Sequence, residues 1–279
     1  MSALATQNPS GGEPPKIDID ALWATIEKQI RLRQELHLNQ EVDYEKFYLY
    51  SLVAHSTAIE GSVLTELDAQ LLFDDGITAK GKPLVDHLMN RDLKDAYLWA
   101  KQQAREKAII SVEFLQSLNA RIMKSTGGEH KVVDGSFDAS KGDFRLCGVS
   151  AGLGGASYLK YEKIPAAVSE LCGEINRSLP VTAPERELYQ SSFDAHFHLA
   201  TIHPWVDGNG RAARLLMNYL QFFHRLIPVK VYQEDKVDYI TALKTTRETA
   251  DLTHFRFFMT EQLRKTLDEE LNQCPRLNV

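Results

Sequence analysis

The chain has 279 residues, 43% of them hydrophobic, enough to bury a substantial core in one large domain or two small ones. Its 32 basic and 38 acidic residues leave a formal net charge of −6, so no whole-protein field favours a nucleic-acid backbone or an anionic membrane, and any phosphate site has to be local. Cys147, Cys172 and Cys274 are odd in number, far apart and without CxxC spacing, which fits reduced thiols better than a disulfide framework or a zinc site.

Residues 1 to about 17 read as a disordered leader: Gly11, Gly12, Pro14 and Pro15 break structure, and few apolar residues could offset the entropy of ordering. The leader lacks the charged start and apolar run of a secretory signal, and no stretch approaches the ~20 apolar residues of a membrane span, so a cytoplasmic protein is expected. From Ile17 the apolar positions Ala21, Leu22, Ile26, Ile30 and Leu32 recur at helical spacing, and a second helical pattern runs from about Asp43 to Ile59 before Gly61 stops it. Further helices are expected at about Glu66 to Phe73, Val85 to Lys107, Val112 to Met123, Ile164 to Leu179, Glu185 to Ile202, Arg211 to Phe223, Asp235 to Thr249 and Leu252 to Leu271. The exception is 131–161, where six glycines punctuate β-prone pieces such as Phe144 to Val149 and suggest one hairpin, or flap. The expected fold is therefore mainly α, a helical bundle with a short hairpin.

The segment Ile202-His203-Pro204-Trp205-Val206-Asp207-Gly208-Asn209-Gly210-Arg211-Ala212-Ala213-Arg214 carries the chemistry. Pro204 ends the preceding helix and leaves the His203 imidazole at a helix-to-loop junction. Gly208 and Gly210 permit the turn into a helix whose free N–H groups form an anion cradle. Arg211 and Arg214 share a face near the positive end of that helix, an electrostatic mismatch that a polyphosphate would resolve. Asp207 supplies the kind of carboxylate that Mg²⁺ takes from protein when phosphates and water complete its shell. His203 then has the natural role of general base. Together these groups describe phosphate-ester or phosphoanhydride chemistry.

This segment resembles the signature of the Fic family, usually HPFx(D/E)GNGRxxR, with Trp205 in place of Phe. The resemblance implies a Fic-type helical bundle with the hairpin as a flap over the active site, and transfer of AMP from Mg-ATP to a Ser, Thr or Tyr hydroxyl of a target protein docked on that flap. It implies that His203 deprotonates the hydroxyl, Asp207 holds Mg²⁺, Gly208, Asn209 and Gly210 cradle phosphates, Arg211 binds phosphate and Arg214 holds the γ-phosphate. Asn218 and Tyr239 would contact the nucleotide, against the plainer readings of a helix-surface polar residue and a core aromatic. The flap would begin near Gly142-Asp143-Phe144-Arg145 and run to Tyr161.

Ser56-Thr57-Ala58-Ile59-Glu60-Gly61 resembles the family's inhibitory motif, (S/T)xxxE(G/N), in the class with an N-terminal inhibitory helix. Glu60 lies in a last helical turn, where the dipole disfavours a carboxylate and a cationic partner is expected. The resemblance makes that partner Arg214, which then cannot grip the γ-phosphate; in some relatives the same glutamate supports removal of AMP. The implied organisation is a leader over 1–17, a helical region over 18–111 carrying the inhibitory motif, and a catalytic core over 112–279. Self-modification and a homodimer are further expectations of the resemblance.

Three alternatives stay open: transfer of phosphate or UMP, a non-catalytic nucleotide-binding module, and a metal hydrolase built on His196, His198 and His203. Phosphate transfer accompanies relatives with a Lys in place of the second Gly, whereas this chain has Gly210. The hydrolase lacks an HExxH or a second acidic cluster, and His196 reads as a packed histidine.

Overall fold

The structure is a computed structural model and describes residues 19–38, 44–151, 157–179 and 182–272. Among these, ten helices follow in chain order: α1 (Ile19–Glu35), α2 (Tyr44–Ile59), α3 (Glu66–Asp75), α4 (Leu84–Arg105), α5 (Val112–Ile122), α6 (Ile164–Ser178), α7 (Glu185–Ile202), α8 (Asn209–Phe223), α9 (Lys236–Thr249) and α10 (Thr253–Asn272). The fold is mainly helical, as the sequence implies. The boundaries from α3 onward lie within two residues of those expected, because apolar spacing and caps agree there. Thr65, for example, closes a capping box with Asp68 at the start of α3. The expected leader, Cys274 and the glycine-rich 152–156 lie outside the described residues.

Helix α8 is the axis of the molecule. Every residue from Arg211 to Leu220 is buried, so it packs on all sides. Its residues Ala212, Leu215, Leu216 and Tyr219 join a core cluster with Leu93 and Tyr97 of α4, Leu115 and Leu118 of α5 and Val168 of α6. Met217 joins a second cluster with Trp23 of α1, Phe193 of α7, Tyr239 of α9 and Phe255 of α10. A helix buried on all faces must satisfy its polar side chains internally. Asn218 donates to Gln221 Oε1 (2.8 Å) and to the Val229 carbonyl (3.0 Å), and accepts from the Tyr97 hydroxyl (2.6 Å). Asn218 is thus buried with both amide hydrogens in use, not a helix-surface group.

The two strands are β1 (Glu129–Val132) and β2 (Gly135–Asp138), antiparallel with Val132 opposite Gly135. Phe144 to Val149, expected to be β-prone, forms no strand. The reason is a side chain: the buried Arg145 guanidinium occupies the carbonyls of Cys147 (2.6 Å), Leu159 (2.6 Å) and His203 (2.9 Å), while its own N–H donates to the Pro204 carbonyl (3.1 Å). Beyond it, Tyr158 N donates to the Val149 carbonyl (3.0 Å) and a single antiparallel bridge joins Ser150 to Ser157.

Gly142 caps the short 3₁₀ turn after β2 at φ +77°, and a Cβ there would run into the Gln116 carbonyl of α5. Its own carbonyl accepts from Trp205 Nε1 (2.9 Å), so the turn anchors the signature loop to α5. Gly142→Ala combines a left-handed backbone with a clash against main chain and is expected to cost about 3 kcal/mol or more, read as a fall in the urea midpoint.

Candidate active site

His203 closes α7 in a left-handed conformation (φ 53°), a C-cap geometry uncommon for a side chain larger than Gly, and Pro204 behind it cannot continue the helix. Its imidazole is stacked on Tyr158, ring centroids 3.8 Å apart and planes 13° from parallel. Burial pushes the imidazole down to about 4; a hydrogen bond to the Ala200 carbonyl works upward, the Arg145 and Arg247 charges downward, and Glu60 upward. At neutral pH His203 is uncharged, with one nitrogen engaged at Ala200 and the other able to accept a proton.

The loop that follows is held by its own side chains. Asn209 accepts from Trp205 N (3.0 Å) and donates to the Trp205 carbonyl (2.8 Å), so its side-chain amide braces the turn. The first intrahelical bond of α8 runs from Ala212 N to the Gly208 carbonyl (2.8 Å), which leaves the N–H groups of Asn209, Gly210 and Arg211 at the open helix end. Gly208 sits at φ +83°, where a Cβ would lie 2.5 Å from Asn119 Oδ1. Arg211 is 1% exposed, and its Nε and Nη1 have no partner among the described residues. Such orphaned donors beside a helix N-terminus point to an anion.

Arg214 is 2% exposed and makes the densest set of contacts in the site. Its Nε donates to Ser56 Oγ (2.8 Å), Nη2 to the Ser56 carbonyl (2.9 Å) and to Glu60 Oε1 (2.5 Å), and Nη1 reaches the Tyr239 hydroxyl (3.5 Å). Burial works to neutralise both members of the pair, but each stabilises the other's charge: Glu60 is held below the usual carboxylate value and Arg214 above the usual guanidinium value. The carboxylate lies directly over Gly210, where any Cβ would strike Glu60 Oε1. The chain on both sides of Glu60 is clamped to α4: Thr57 Oγ1 donates to Asn90 Oδ1 (3.0 Å), Asn90 Nδ2 to Ser62 Oγ (3.1 Å), and Val63 N to Asp86 Oδ2 (2.9 Å).

Tyr239, expected to contact the nucleotide, is 2% exposed with its ring packed near Phe255 and Phe258. Its hydroxyl stands 2.8 Å from His196 Nε2 and backs Arg214. His196 is fully buried and held well below the usual imidazole value by that burial, a packed histidine. Among the described residues no three His, Cys, Asp or Glu side chains are grouped to hold a metal ion, and no helix is long and apolar enough to cross a membrane. The side chain of Asp207 is 64% exposed; its Oδ1 meets Gly208 N (2.6 Å) and Arg211 Nη2 (3.3 Å), and Oδ2 has no partner among the described residues. One free carboxylate oxygen beside an anion cradle fits Mg²⁺ bound mainly by phosphates and water.

Three contributors escaped sequence reasoning in whole or part: Arg145 as a staple, Tyr158 on the imidazole, and Asn90 behind Glu60. The one available signal was a charge flanked by apolar residues in Phe144-Arg145-Leu146.

A helix N-terminus with orphaned cationic donors, next in the chain to an uncharged imidazole, defines a mainly helical protein with an anion-accepting site. Residues 109–221 match the Fic/DOC family, and this segment is a Fic domain. Over 255 residues the chain is 28% identical to the protein adenylyltransferase Fic of Drosophila erecta, spanning 89% of this chain and 45% of that protein. The chain thus spans about half the length of the curated relatives it matches. A Fic domain containing signaling protein from Bacteroides thetaiotaomicron superposes with a TM-score of 0.71 at 22% identity, over 91% of this chain and 96% of that one. Fic-1 from C. elegans does so with a TM-score of 0.71 at 20% identity, over 91% and 73%. These two similarities show the fold.

Two outcomes are expected. In histidine-labelled NMR titrations, His203 stays neutral down to about pH 4, whereas an exposed histidine titrates near 6.5. Glu60→Ala strands the buried Arg214 charge and lowers stability by about 1–3 kcal/mol, with pyrophosphate restoring more of the melting temperature in the variant than in the parent.

Proposed function

We propose that the chain is a protein adenylyltransferase that moves AMP from Mg-ATP to a Ser, Thr or Tyr hydroxyl of a target protein and is restrained by its own Glu60. The observation that carries this reading is the convergence of His203, the open end of α8 and the orphaned Arg211 on one side, with Arg214 occupied by Glu60 on the other. It is supported by the adenylyltransferase relatives that align with most of the chain.

In this reading the α-phosphate lies on the N–H groups of Gly210 and its neighbours, with Arg211 on phosphate oxygen. The Asp207 carboxylate would hold Mg²⁺, which when bound neutralises charge on the phosphates. The target hydroxyl oxygen forms a bond to the α-phosphorus, the α–β anhydride bond breaks, and the hydroxyl proton passes to the uncharged nitrogen of His203. Pyrophosphate is the leaving group. While Glu60 holds Arg214, the guanidinium is withheld from the γ-phosphate and ATP settles with its α-phosphate poorly aligned, so inhibition is misplacement.

The role of Ser56 is to fix Arg214 in reach of Glu60 through two hydrogen bonds. Asn209, Asn218 and Tyr239 brace the site from behind. The region over 18–111 carries the restraint and 112–279 the chemistry; docking of the target along the flap, self-modification, self-association, removal of AMP aided by Glu60 and a cytoplasmic location belong to the same proposal.

Transfer of α-labelled against γ-labelled ATP into protein tests it. Expected are α-label only, at least about tenfold more with Glu60→Gly, and none with His203→Ala, an effect that loss of the base accounts for. γ-Label alone would establish phosphate transfer, α-label from UTP but not ATP would establish uridylyl transfer, and no label at all would establish a binding module.

A further inference from the structure

One pair of contacts near His203 is unused by the chemistry above. Tyr158 lies face to face with the imidazole at 3.8 Å, and the Arg247 guanidinium of α9 stands 5.4 Å from the Tyr158 ring centroid. Arg247 is itself tethered by its Nε to the Leu243 carbonyl (3.3 Å). The three planes come from three separate elements: the C-cap of α7, the returning limb of the flap, and α9.

The spacing of the stack is fixed independently of the stacked rings. The buried Arg145 guanidinium holds the His203 carbonyl with Nε and the Leu159 carbonyl with Nη2, and Leu159 is the residue next to Tyr158. One rigid, planar group thus fixes the main chain of both stacked residues, and Tyr158 N is bonded to the Val149 carbonyl on the outgoing limb. Burial of Arg145 at 0% exposure makes this anchorage insensitive to solvent.

The imidazole therefore has one in-plane restraint, at the Ala200 carbonyl, and one on its face. An in-plane hydrogen bond alone leaves the ring free to roll about that bond; a parallel aromatic face at 3.8 Å removes the roll. We infer that Tyr158, backed by Arg247, is a positioning residue that sets the plane of the His203 imidazole, so that the flap and the base are aligned by a single element. This inference rests on His203 being the general base. Its consequence is that distortion of the flap's inner limb degrades proton transfer without weakening ATP binding, because among the described residues no hydrogen bond or ring contact joins Tyr158 to the α8 terminus.

The charged and titratable groups acting on the imidazole are Arg145 from the flap, Arg247 from α9 and Glu60 from α2, so the test includes a titration. In the Glu60→Gly protein, Tyr158→Ala is expected to lower kcat for α-label transfer about tenfold or more with KM for ATP within about twofold, the signature of a misplaced reacting group. Tyr158→Phe keeps the face and is expected to restore kcat. By NMR, the upfield ring-current shift of the His203 ring protons is lost in Tyr158→Ala and kept in Tyr158→Phe, and Arg247→Met raises the His203 pKa. Unchanged kcat in Tyr158→Ala, or a Tyr158→Phe as impaired as Tyr158→Ala, would overturn the inference while the functional reading stands. Absence of α-label transfer by the Glu60→Gly parent would refute the functional reading itself.

Discussion

A guanidinium 2% exposed, one turn into a helix whose positive end lies beside it, is the constraint around which this molecule is arranged. The helix dipole opposes it and burial opposes it, so Arg214 persists as a cation only because anionic and dipolar partners are brought to it. Ser56 comes from α2 and Glu60 from the turn that closes it, and Tyr239 from α9 supports the remaining edge. Those demands explain why α2 must cross the mouth of α8, and why α8 carries Gly at 210, where nothing larger fits under the carboxylate. A phosphate group would meet the same demand from the opposite side, which makes Glu60 and an anionic ligand alternatives for one charge.

Arg145 solves a different problem by similar means. An irregular segment between β2 and α6 cannot hold itself together by ladder hydrogen bonds, since only one bridge is present in the described part of the flap. A single buried guanidinium supplies five donors in a fixed fork and gathers three carbonyls, two from this segment and one from the C-cap of α7. The signature loop is likewise braced from within, by Asn209 on Trp205 and by Trp205 on Gly142. Rigidity at His203 comes from these crossed anchors rather than from regular secondary structure.

Helix positions were legible in the sequence because apolar spacing and caps act locally, and the signature was legible because its residues are contiguous. What was not legible depends on long-range burial. Nothing local distinguishes Asn218 on a surface from Asn218 bonded to Val229 and Tyr97, and only the burial of α8 on every side decides it. Tyr239 has the helical spacing of a core aromatic and the placement of a ligand contact; its partner His196 lies 43 residues away. The β-prone reading of Phe144 to Val149 failed because a side chain of that same stretch took the Cys147 carbonyl that a strand would have offered.

The hydrogen bonds that tie Thr57, Ser62 and Val63 to Asn90 and Asp86 of α4 give the Glu60 segment a finite holding energy. Three such bonds at about 1 kcal/mol each add about 3 kcal/mol to the Arg214 contacts, a weight of roughly a hundredfold toward the held state. Under the proposed reading, the depth of the restraint is then a sum of two separable parts, this seam and the ion pair, and each can be tuned without the other. A partner would then need only a small interface on the α2–α4 seam, worth a few kcal/mol, to raise output close to a hundredfold.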